Sequence, residues 1–167
     1  MSYILRRIVF IISALFICAV SLAQTVGYSH KPLAAEGCSM KYSVAKQDTS
    51  YYIIATVSSD RLRFLGEPQM KIRTFNDEVI TLNGVNIGNG SQSAGMVIGN
   101  IVYPITEINS TAQFLITPQQ FELLKDGVAK IRISMTPMNH EKSFKKDKIG
   151  KKLYDFFIKQ QSVSDDF

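Results

Sequence analysis

The chain is predicted to fold as an α+β domain: a mainly antiparallel sheet of about six to eight strands in hairpins, a short capped helix at 118–126 and a C-terminal helix at 147–160. Three observations predict it. Apolar and polar residues alternate with period two in several short runs, each bounded by turn residues. One internal stretch, Ile116 to Met135, carries a full helix instruction followed directly by a strand instruction. A second helical stripe, Ile149, Leu153, Phe156 and Phe157, lies near the C-terminus.

The N-terminus is read as export machinery. Arg6 and Arg7 precede an apolar run from Ile8 to Val20, and Ser21-Leu22-Ala23 offers a small-x-small cleavage site. The run is shorter than the ~20 residues a spanning helix needs, which favours a signal peptide at 1–23 over an anchor. Ile17 before Cys18 does not suit lipid attachment. Residues 24–39 are small, polar and aperiodic, and are expected to form a flexible leader arm. The domain is placed at 40–160, with 161–167 as a frayed tail. Cleavage near Ala23 removes two of the 19 basic residues and no acidic one, leaving 17 against 14, a net charge of +3 in place of +5. That weak excess does not suggest nucleic acid as a partner. Cys38 is then the single thiol, so the fold must rest on its core and not on disulfides.

Strands begin at Lys41 to Val44 and continue, after the turn Gln47 to Ser50, in the β-branched and aromatic run Tyr51 to Val57. Met70, Ile72 and Thr74 alternate with Lys71, Arg73 and Phe75, and Asn76-Asp77 turns the chain into Glu78 to Leu82. Asn83 to Gly95, with four glycines, is expected to be a long loop. Met96 to Ile108 returns to strand character around a Gly99-Asn100 turn, with Pro104 marking a sheet edge. Thr117, Pro118 and Gln120 form a capping box, Ile116 and Phe121 a hydrophobic staple, and Gly127 the helix stop. From Ala129 the period returns to two, with Lys130, Arg132 and Ser134 facing water. Asp147 is the expected cap of the last helix, in which Gly150 costs about 1 kcal/mol against alanine.

The segments FLGEPQMKIRTFNDEVITLNG and ITPQQFELLKDGVAKIRI, with the lysine-rich terminal helix, resemble a family of small exported bacterial α+β proteins of unassigned function. The resemblance spans roughly Tyr51 to Lys159 and implies a secreted or envelope-associated domain. It implies no catalytic motif.

No motif assembles a reaction. Gly88-Asn89-Gly90 begins a G-x-G-x-x-G pattern, but Ser93 replaces the third glycine and no helix signal follows. Ser91 and Ser93 lack the flanking glycines of a nucleophile elbow. His30 and His140 have no partner at metal-ligand spacing, and Cys38 and His140 carry no local signature of a nucleophilic pair. Asp48, Asp60, Glu67 and Glu107 stand singly. No catalytic residue, metal or cofactor is therefore assigned. Two surfaces remain as candidates for contact. Lys145, Lys148, Lys151 and Lys152 form a patch suited to anionic lipid or acidic glycan, although most such runs are solvated faces. Asn86, Asn89, Ser91 and Gln92 are the polar members of the expected loop. Tyr51 and Tyr52 must point to opposite sheet faces, and the absence of tryptophan counts against a stacking platform for sugars. The expected function is that of an exported, non-catalytic module contacting an envelope protein or a second copy of itself. The alternatives are a binding module for anionic lipid or glycan and a small hydrolase with an unrecognised site.

Overall fold

Every second side chain of Ser50–Ser59 and of Gln69–Thr74 is buried, and this period of two builds a single-layered sheet with one wet face. The structure is a computed structural model and describes residues 24–29, 38–59, 66–98, 100–136 and 139–162. Its strands are β1 (Val26–Ser29), β2 (Cys38–Gln47), β3 (Ser50–Ser59), β4 (Gln69–Thr74), β5 (Val79–Ile98), β6 (Ile101–Ile116), β7 (Val128–Ile133) and β8 (His140–Ser143). Two helices join them, α1 (Pro118–Leu123), extended by a 3-10 turn at Leu124–Asp126, and α2 (Gly150–Ser162). Every pairing is antiparallel, in the order β1-β2-β3-β6-β5-β4-β7-β8, and the sheet curls into a half-barrel. The α+β class, the strand number and both helices are as the sequence predicts.

The helix α1 follows its local instructions. The Thr117 hydroxyl accepts from the Gln120 N–H at 3.2 Å and the Gln120 carboxamide accepts from the Thr117 N–H at 2.9 Å, which completes the capping box. Gly127 stops the helical run at φ 76°. Asp147 caps α2 as expected, one oxygen accepting from Gly150 N–H at 2.8 Å and the other from Lys151 N–H at 2.9 Å. The first oxygen also takes the Val128 N–H at 2.9 Å, so one carboxylate ties the start of β7 to the start of α2.

The core fills the inner face. Ile53, Phe114, Met70, Ile72, Ile131 and Leu124 are fully buried there. Phe121 of α1 stacks on Phe157 of α2 with centroids 4.4 Å apart, and the Tyr51 ring meets Phe157 edge-on at 5.0 Å. Where the half-barrel brings its terminal strands together, Tyr28 of β1 donates to or accepts from His140 Nε2 of β8 at 2.8 Å and reaches the Tyr42 hydroxyl at 3.1 Å. Phe144 closes on Tyr28 at 5.3 Å. Polar groups this deep are tolerated because they satisfy one another.

Four expectations need correction. Asn83 to Gly95 is not a loop but the middle of β5, in register with β6 from Gly84↔Phe114 to Ile98↔Ile101. Gly84 serves a close approach to Phe114, and the strand bulges at Ile87, between Asn86↔Ala112 and Gly88↔Thr111. Val26–Ser29 is not part of an arm but pairs with Met40 and its neighbours, because Val26 and Tyr28 have an apolar face to cover. Residues 30–37 of the expected arm, the expected signal peptide at 1–23 and residues 163–167 lie outside the described residues. Lys148 precedes α2, which begins at Gly150 and runs on to Ser162. Finally, Gly150 is not simply a weak helix residue, since a Cβ there would stand 2.7 Å from the Val128 nitrogen.

Candidate anion-binding site

The outer face of β5, β4, β7 and β8 is built from three rungs of facing side chains. Arg73 lies opposite Val79 and Lys130, and Lys130 in turn faces Ser143. One rung on, Lys71 lies opposite Thr81 and Arg132, and Arg132 faces Glu141. On the third, Gln69 faces Asn83, and its carbonyl accepts from the Ser134 N–H at 2.9 Å. The strand period alone sends these residues outward, since Met70 and Ile72 must fill the core.

The first two rungs set four cations in a rectangle. Facing side chains on neighbouring strands sit about 5 Å apart at Cβ, and residues two apart along a strand about 7 Å. Like charges at such positions repel, and among the described residues one carboxylate in the array answers them. Glu141 holds Lys130 at 2.7 Å. That bond, assisted by the nearby Arg132 guanidinium, keeps the Glu141 carboxyl below its ordinary value against the opposing effect of desolvation. Lys71, Arg73, Lys130, Arg132 and Glu141 line a shallow hollow together with Val79 and Ile72. A second hollow, lined by Gln69, Ser134 and Asn139, shares Lys71 and Arg132 with the first. The Ser134 hydroxyl is fixed in place, donating to the Glu67 carbonyl at 2.8 Å and accepting from the Gln69 N–H at 2.6 Å.

Comparison with protein-family models, curated proteins and solved structures finds no match. The functional reading therefore rests on this geometry.

The residues singled out in the sequence fall elsewhere. Lys145 and Lys148 lie in the turn before α2, and Lys151 and Lys152 in its first turn, all exposed. None of the four forms an ion pair among the described residues. Exposed lysine runs of this kind are most often solvated faces. Asn86 and Asn89 are held on β5 by each other and by the buried Ser110, which donates to Asn89 Oδ1 at 2.6 Å. Ser91 is exposed, and the Gln92 side chain lies outside what the structure describes. His140 is buried against Tyr28, while His30 and the Cys38 side chain lie outside the described residues. Among the described residues, no three histidine, cysteine, aspartate or glutamate side chains converge as a metal site would require, and no helix is long and apolar enough to cross a membrane. Tyr51 is buried and Tyr52 half-buried, on opposite faces as expected. The four-cation array was present in the sequence as two outward alternations, Lys71/Arg73 and Lys130/Arg132. What joins them is the β4–β7 pairing across more than fifty residues, which no local pattern encodes.

Proposed function

We propose that this protein is an exported, non-catalytic domain that binds an anionic ligand on the outer face of its sheet, over Lys71, Arg73, Lys130 and Arg132. One observation carries the reading: two cation pairs face each other directly across β4 and β7, an arrangement that costs the fold free energy unless an anion offsets it. The supporting circumstance is that a carboxylate, Glu141, already sits at one corner. Export with cleavage near Ala23 belongs to the same proposal and is supported by the N-terminal pattern alone.

Retention on a sulfated-glycan matrix at low salt tests the site. The Lys71→Glu/Arg132→Glu protein should lose retention. The Lys145→Glu/Lys152→Glu protein, which changes net charge by the same amount, should keep most of it. Equal loss in both variants would mean that net charge alone is being read, and the site would be abandoned.

A second reading, contact with another protein, is favoured by the neighbouring stretch of the outer face, where Val85 and Leu115 are 62% and 56% exposed beside Gln113. Sedimentation of the protein against a Leu115→Glu variant checks self-contact: a concentration-dependent mass seen only in the parent supports it, and identical monomers dispose of it.

A further inference from the structure

The cation rungs do not end the site. The two hollows share Lys71 and Arg132, so the charged surface continues into one of different chemistry, lined by a carboxamide from Gln69, a carboxamide from Asn139 and the Ser134 hydroxyl. We propose that the three rungs form a single site for an acidic saccharide, its anionic group over Lys71 and Arg132 and its hydroxyls over Gln69 and Asn139; this rests on the anion-binding reading above.

The donors and acceptors of the two hollows match those of an acidic sugar. A carboxamide offers a donor and an acceptor side by side, as does each sugar hydroxyl, whereas cations offer donors alone. Gln69, which lines the hollow, directs its carboxamide nitrogen to Asn83 Oδ1 at 3.1 Å, which orients the side chain and leaves its oxygen available as an acceptor. Asn139 is exposed and makes no side-chain hydrogen bond among the described residues. Ser134, bonded to Glu67 and to Gln69, holds the rung rigid and does not need to bind anything itself. The spacing suits a single ligand, since the amide rung lies two residues, about 7 Å, from the nearer cation rung.

The lining also argues against other anions. Among the described residues, no aromatic side chain lines either hollow, so a nucleobase finds none there to stack on. A lipid surface needs apolar side chains beside the cations to enter the interface, and among the described lining residues Val79 is the one exposed apolar side chain. Glu141 marks how the site distinguishes ligands. Its carboxylate is bonded to Lys130 and faces Arg132 across the ladder, so an incoming anion meets least competition at Lys71 and the side of Arg132 away from Glu141, next to the carboxamides.

The test is a chemical-shift titration of the full chain with glucuronate, glucose 1-phosphate, glucose and inorganic phosphate. The acidic sugars should bind about 10-fold more tightly than glucose and than inorganic phosphate, as expected when two kinds of contact act together. Which acidic sugar binds better identifies the anion as carboxylate or phosphate. Asn139→Ala should erase the advantage of the acidic sugar over phosphate while phosphate binding stays as it was, and Glu141→Gln should tighten both. Asn139 makes no side-chain hydrogen bond among the described residues, so this variant tests binding with little expected effect on folding. Equal affinities for phosphate and the acidic sugars, or an Asn139→Ala protein that keeps the margin, would overturn the saccharide assignment and leave the anion site standing. If phosphate moves no resonance of Lys71 or Arg132 and the acidic sugars do not either, both proposals fall.

Discussion

At the scale of single residues, two positions around the start of α2 decide between local and tertiary rules. Helix propensity says that alanine should replace Gly150 with a gain of about 1 kcal/mol. The packing says the reverse: an added Cβ would lie 2.7 Å from the Val128 nitrogen and 2.9 Å from the Gly127 carbonyl carbon, both backbone atoms that cannot turn aside. Gly150→Ala should therefore destabilise the protein by about 1–3 kcal/mol, the usual cost of overpacking, and denaturant unfolding gives the sign at once. Asp147 is the second position. Burial raises the proton affinity of its carboxyl, but the N–H groups of Val128, Lys151, Gly150 and Ile149 together outweigh burial and hold it below the ordinary carboxylate value. The unfolded chain then takes up its proton first as pH falls, so the stabilisation is complete above the ordinary carboxylate range and disappears towards the lower folded value. Asp147→Ala should cost about 1–2 kcal/mol at neutral pH and show a shallower loss of stability through that acidic window. The cap was legible in the sequence because capping is local. The glycine was not, because its reason lies on another strand.

Elements show the same division. The Thr117–Gln120 box and the Gly127 stop involve residues a few positions apart, so α1 could be read directly from ITPQQFELLKDG. β5 could not. Its Asn-Gly-rich middle has the composition of a turn, yet pairing with β6 along the whole hairpin overrides that local preference. One of its glycines has a definite task. β5 leaves β4 after Asn83 and continues against β6 from Gly84, where the strand passes flat over the Phe114 ring. A Cβ on Gly84 would stand 2.6 Å from that ring and 2.7 Å from the Gln113 carbonyl oxygen. Phe114 is fully buried and has no room to retreat. Gly84→Ala is thus expected to cost about 1–3 kcal/mol, while alanine at Gly88 or Gly90, where nothing lies within 4 Å, should change stability far less. Comparable losses at all three positions, measured by thermal or denaturant unfolding, would contradict this account of the strand.

Over the whole molecule, the buried face of the sheet and its wet face answer to different demands. The buried face was legible residue by residue, because alternation assigns Met70, Ile72, Ile131 and Ile133 to a core wherever their strands lie. The wet face acquires meaning only from which strands adjoin, and β4 beside β7 turns two ordinary alternations into a block of positive charge. A face selected for stability alone would alternate signs across the ladder, as Arg132 and Glu141 do between β7 and β8. Lys71 is the sharpest test, because its facing neighbours are Thr81 and the like-charged Arg132. Lys71→Thr removes the repulsion and substitutes a residue that favours strands, so the free protein should gain about 0.2–1 kcal/mol at low salt. That gain should shrink as added salt screens the pair in the parent, and binding of the anionic ligand should weaken in the same variant. Stability and binding moving in opposite directions is the signature of charge kept for a partner. A variant that lost stability, or gained it with binding intact, would show that Lys71 and Arg132 are surface charges with no shared task.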